Sequence, residues 1–177
     1  ITTTKNKLTH AYFCPQLLKS PNRTKDNILS CTNAWADLDS CNPDLLLVEP
    51  SILTMTSPGR YQALWVFTEA IDPQQAENIS MRIAYYHASH GADQSGWDLT
   101  QLLRIPYTPN YKYGSDNTAP IVGVVNNNPK IYLPKDLEVY PAVNSIKFVK
   151  ETMPNIEYED PNGILQRFRP VLNQNVF

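Results

Sequence analysis

Asp37 and Asp39 stand two apart in the apolar run Asn33-Ala34-Trp35-Ala36-Asp37-Leu38-Asp39. On an extended strand side chains alternate between faces, so the two carboxylates project together with Trp35, while Ala36 and Leu38 turn to the other side. Neighbouring carboxylates repel unless a positive group lies between them, and paired oxygen ligands suit a hard divalent cation such as magnesium or manganese. The same spacing also fits a strand end whose acids begin a turn, since Cys41-Asn42-Pro43-Asp44 follows at once. Downstream lies the tight segment Ser57-Pro58-Gly59-Arg60-Tyr61-Gln62, in which Gly59 permits a backbone approach or a positive φ that other residues resist.

The elements that must position these residues follow from periodicity and punctuation. His10–Phe13 reads as a strand closed by Pro15, and residues 33–39 as a second. A short helical turn is expected over Pro43–Val48, with Asn42 as its cap and Pro50 as its stop. Ile52–Thr56 and Tyr61–Phe67 are rich in strand formers around the 57–60 turn and predict a hairpin. Asp72-Pro73-Gln74-Gln75 is a helix start, with an acid at the cap and proline at the first helical position. Ala76, Ile79, Ile83 and Tyr86 then form an apolar stripe that stops near Gly91. Strands are expected over Trp97–Pro106, Ile121–Val125 and Lys130–Leu133, so strands outnumber helices and the class is α+β. Past Pro141 the signal weakens: Ser145–Lys150 reads as a short strand or helix, 155–163 as loop, and 168–173 as an edge or linker, as in a domain cut from a longer polypeptide.

Composition narrows the classes. The 177 residues are 42% hydrophobic, enough for one core, and no apolar run reaches the roughly 18 residues of a membrane span. A net charge of −2 gives no global basic field, so any hold on nucleic acid is local. Lys5, Lys7, Lys19, Arg23 and Lys25 all precede the first acid, Asp26. Cys14, Cys31 and Cys41 are odd in number and lack a Cys-x-x-Cys knuckle with His10, so buried thiols in a reducing compartment are expected and zinc is not. His87 and His90 are read as cations favoured at a helix C-terminus rather than as ligands.

In order, the paired acids, the Ser57–Gln62 turn, and Asp98 followed by Arg104-Ile105-Pro106 resemble the archaeo-eukaryotic primase superfamily, specifically the RepB-like primase-polymerase domains of plasmid and phage replication proteins. The resemblance runs from about His10 to Lys112. It implies a modified RRM-like antiparallel sheet packed against helices, and a two-ion nucleotidyl-transfer centre using magnesium or manganese. Asp37 and Asp39 match its first acidic motif. Asp98 matches its third acid, with Asp93 as the alternative. Gln62 stands where the family usually has a histidine that contacts the nucleotide's phosphates, and glutamine can donate there but carries no charge. Arg60 and Arg104 are the implied triphosphate cations, because a guanidinium fork binds phosphate oxygens in pairs. Ser57 and the Gly59 amide would add neutral donors.

Tyr107, Asn110 and Lys112, in a proline-rich segment with Tyr111 and Tyr113, are assigned to nucleic acid, since aromatics beside cations suit stacking on single-stranded bases. Tyrosines that plug a loop onto the core are the other reading. The expected activity is nucleotide addition on a single-stranded DNA template from nucleoside triphosphates. Residues 1–140 would be the catalytic core, and 141–177 an extension of it or the start of a linker to a helicase region or replisome partner. No membrane role is expected; the setting would be the cytoplasm of a bacterial host, with a plasmid, phage or prophage gene. A noncatalytic single-strand or origin-binding module of the same fold is the alternative. A two-ion nuclease lacks a lysine beside the acids.

Overall fold

The computed structural model describes residues 10–115 and 117–143. The readings for 145–150, 155–163 and 168–173 lie outside the described residues. Among the described residues, seven strands and one α-helix occur. They are β1 (Tyr12–Phe13), β2 (Leu17–Leu18), β3 (Ile28–Asp39), β4 (Ile52–Ser57), β5 (Arg60–Ile71), α1 (Pro73–His87), β6 (Leu103–Arg104) and β7 (Gly123–Asn127). The large sheet runs β2-β3-β5-β4-β7, antiparallel throughout, and β1 pairs with β6 in a separate two-stranded ladder. The α+β class holds.

Alternation along β3 splits the core into two layers. Ala34, Ala36 and Leu38 join Leu53, Ala63, Trp65 and Phe67, covered by Ile79 and Ile83 of α1. Trp35 points the other way into a smaller cluster with Leu99 and Leu103, against which Phe13 and Leu64 pack. The β1–β6 ladder therefore lies over the face that bears Asp37. Beyond its short pairing with β2, the outer edge of β3 is closed by other means. Ser80 Oγ accepts from the Trp35 N–H at 3.0 Å, the Asp93 N–H donates to the Asp37 carbonyl at 2.9 Å, and the Ser40 N–H donates to the Gly91 carbonyl at 3.2 Å.

Helix α1 starts as its sequence dictates: Asp72 accepts from the Gln74 and Gln75 amides at 2.9 and 3.3 Å, with Pro73 at the first position. It ends in a 3₁₀ turn, Ala88–His90, closed by Gly91 at φ +101. Asn42 caps a shorter 3₁₀ turn than expected, Pro43–Leu45. Three strand readings need correction. Of Trp97–Pro106 only Leu103–Arg104 is strand, because Asp98 instead folds the chain over onto the Thr100 amide. Lys130–Leu133 contributes a single bridge from Tyr132 to Phe67, and β7 begins two residues later than its apolar run.

The apolar stripe of α1 also turns differently at its end, where His87 is buried and Tyr86 exposed. His87 packs edge-on against Tyr86 and Tyr140, and neither ring nitrogen has a hydrogen-bond partner. Burial, helped by His90, holds its pKa below the usual histidine value, so it is a neutral core residue rather than a terminal cation. The unfolded chain takes up this proton as pH falls past about 6.5 while the folded chain resists it, so stability drops there. The melting temperature should fall between pH 7.5 and 5.5, and His87→Leu should flatten that slope. Equal slopes in the two proteins would exclude His87 as its source.

Candidate active site

The acids sit where β3 leaves the sheet. Asp37 pairs with Gln62 and Asp39 with Tyr61, so the register shifts between them in a bulge, and Asp39 takes φ +43. Bulges bend a strand and re-aim its side chains. Both carboxylates face one polar cleft of about 220 Å³. Arg60 and Gln62 reach it from β5, Arg104 from β6, and Lys112 and Tyr113 from the loop that follows. The two-residue turn Pro58-Gly59 carries Arg60 there, with Gly59 at φ +72, the positive value that the third position of a type II turn requires.

The two acids differ. Burial pushes the Asp37 carboxyl above the usual carboxylate range; the Asp93 and Asp39 charges add to this, against hydrogen bonds from Gln62 and the Asp39 amide. Among the described residues no lysine or arginine pairs with it. Asp39 is more open and bonds the Arg60 guanidinium. Arg104 is the complementary case: it is 8% exposed, lies 4.8 Å over the Tyr12 ring and 3.3 Å from His10 Nδ1, and pairs with no carboxylate among the described residues. A buried guanidinium with no acid calls for an anion.

Gln62 faces the cleft but spends both ends of its amide within the protein. Its Oε1 accepts from the Arg104 N–H at 3.0 Å and its Nε2 donates to Asp37 Oδ2 at 3.4 Å. It thereby ties β6 to the acid strand. Asn110, expected to meet nucleic acid, is 1% exposed: its Nδ2 donates to the Thr56 carbonyl at 2.8 Å, and its Oδ1 caps the turn that presents Lys112 and Tyr113. Tyr107 is 77% exposed with φ +64, away from the cleft lining. Ser57 is buried beside the turn, and neither it nor Gly59 lines the cleft.

The third acid is the point of divergence. Asp98 does not line the cleft: its carboxylate meets Lys25 Nζ at 2.7 Å and the Thr100 amide at 2.7 Å. Burial alone would raise its pKa, but Lys25 and Thr100 outweigh it and hold the group low. Asp93 lies closer to the acid pair, since its charge acts on Asp37 and its amide bonds the Asp37 carbonyl, although its carboxylate accepts from Ser95. Among the described residues no three His, Cys, Asp or Glu side chains converge as metal ligands. Sequence reading missed the residue that lets the 91–100 loop approach at all. At Gly96 a Cβ would fall 2.9 Å from the Asp37 Cβ.

Residues 15–136 match the sequence model of a family described as the RepB DNA-primase N-terminal domain. Among curated proteins none matches. Of solved structures, the archaeo-eukaryotic primase domain of the cyanophage S-2L primase-polymerase is similar at a TM-score of 0.59 and 17% identity, over 75% of this chain and 70% of that one. That likeness shows the shared fold. The catalytic domain of primase RepB′ in complex with initiator DNA superposes at 0.48 with 22% identity, over 60% of this chain and 55% of that one. A second RepB′ structure gives 0.47 and 20%, over 60% and 37%. Among the described residues no helix is long and apolar enough to cross a membrane.

Proposed function

Since the chain belongs to the RepB primase family, with residues 15–136 forming its N-terminal primase domain, we propose that its polar cleft carries out metal-dependent nucleotidyl transfer on a single-stranded DNA template. The observation that supports this most is the convergence on one cleft of Asp37, Asp39, Arg60, Arg104 and Lys112, drawn from three strands and a loop. The residues fit a divalent ion: Asp37 is a half-buried carboxylate raised by burial and by two acidic neighbours, which a cation would relieve. Asp37 and Asp39 would hold magnesium or manganese, with Asp93 nearer than Asp98 as a further carboxylate.

When bound, such ions lower the pKa of the attacking 3′-hydroxyl and neutralise charge on the departing pyrophosphate. The chain supplies the rest. Arg104 stays fixed by its backbone bond to Gln62 and by stacking on Tyr12, so it presents a preorganised fork to phosphate oxygens. Gln62 orients the Asp37 carboxylate. Lys112 and Tyr113, set by the Asn110 cap, face the same cleft and suit the template or primer backbone. Nucleoside triphosphates, a helicase partner and a plasmid or phage origin in a bacterial cytoplasm belong to this same reading.

Incubation with a single-stranded template, nucleotides and manganese or magnesium should give extended products that vanish in the Asp37→Ala, Asp39→Ala double variant. Extension that survives the double change would exclude this metal site. The engagement of Asp98 by Lys25 favours one rival, a noncatalytic module of the same fold. Template binding without extension in either metal would establish that rival instead.

A further inference from the structure

We infer that Arg60 is the resident counter-ion of Asp39, that it yields this carboxylate to a divalent cation, and that the released guanidinium then serves a polyphosphate. The inference rests on the nucleotidyl-transfer reading above and assigns an exchange within that site. Arg60 Nη1 donates to Asp39 Oδ1, and the two form an ion pair. Asp37 has no such cation among the described residues. The two acids are therefore prepared in opposite ways, one left short of positive charge and the other already neutralised.

A divalent ion at Asp39 would share a carboxylate whose Oδ1 the guanidinium already holds, and two cations on one carboxylate repel within a few ångströms. Arg60 and Asp39 side chains are 37% and 45% exposed. Ion pairs at such exposure are weak and screened, so the exchange is easy; a buried pair would lock the ion out. The guanidinium also has somewhere to go. It already lies 5.5 Å from the Tyr113 ring centroid, whose other cationic neighbour, Lys112 Nζ, is at 5.4 Å. Arg104 faces the same cleft. Three cations around one space suit an anion with several charges, and the open tip at Gly59, where a Cβ would meet nothing within 4 Å, leaves the turn room to move.

Arg60 should then compete with the ion when no nucleotide is present. The test is manganese titration of the full chain followed by electron paramagnetic resonance, without nucleotide, on the unmodified protein, Arg60→Met and Arg60→Lys. Arg60→Met should bind manganese about two- to fivefold more tightly, the range expected from an ion pair this exposed. Arg60→Lys, which keeps a cation, should stay near the unmodified protein. In an Asp39→Asn background the Arg60→Met change should no longer matter. At saturating manganese the same Arg60→Met protein should show a raised nucleotide KM. Manganese binding by the unmodified protein with no gain in Arg60→Met would overturn the exchange alone. No manganese binding by any variant would overturn it together with the metal reading. Circular dichroism in EDTA separates either result from unfolding.

Discussion

Asp37→Asn should give a protein that is both more stable and almost inactive. In the folded chain burial and two acidic neighbours raise the Asp37 pKa. The sign follows directly: a group that binds its proton more tightly in the folded state adds stability at low pH and loses it as pH rises through the raised pKa. At neutral pH the ionised carboxylate is a net cost, which asparagine removes while keeping the shape. In EDTA at pH 7 the gain should be on the order of 1 kcal/mol, or roughly 2–4 °C in melting temperature for a chain this long. Near pH 3.5 the gain should vanish. Nucleotide incorporation should fall on the order of a thousandfold, since an amide cannot replace a charged oxygen ligand. Loss of stability at pH 7 in EDTA would mean that Asp37 is a structural acid and that its burial has been misread.

Gly96→Ala should cut incorporation about a hundredfold while leaving the fold intact. The new methyl would stand 2.9 Å from the Asp37 Cβ and 3.5 Å from the Asp93 carbonyl oxygen. The first of these contacts is short enough to force a shift, whereas the second is ordinary van der Waals contact; displacement of a reacting group by about 1 Å costs on the order of 10²-fold in rate. Overpacking of this kind costs about 1–3 kcal/mol, so the domain should melt earlier yet cooperatively. Ser95→Ala is the control next door: it removes one hydroxyl bond to Asp93 at an exposed position and should leave incorporation within a few-fold. Full activity in Gly96→Ala would show that the loop yields rather than the acid.

The readable parts were those set by local rules. Alternation placed Asp37 with Trp35 on one face, Pro58-Gly59 fixed the hairpin, and Asp72-Pro73 fixed the helix start. Asp39, by contrast, joins Asp37 at the cleft through a bulge that alternation does not foretell. The cleft itself was legible to the extent that acids, Arg60, Arg104 and Lys112 were all expected there. What escaped depends on distant partners. Lys25 claims Asp98 from a loop far earlier in the chain, and no local pattern announces that ion pair. Gln62 turns inward because β6 happens to offer the Arg104 N–H, and Asn110 is consumed by a cap and by the Thr56 carbonyl. Tyr86 and His87 exchanged places because one residue on a helix is a 100° turn, and Tyr140 arrives from outside the helix to cover His87.

The outer edge of β3 carries one more implication, mechanical in kind. Among the described residues that edge has no strand along it past β2, and the segment that closes it at Asp37 is a loop without regular structure, joined through the Asp93 amide. Main-chain bonds of this sort open together with the loop that bears them. Lifting residues 91–96 therefore unfastens the carbonyl of Asp37 and removes Gly96 from beneath its side chain in one movement.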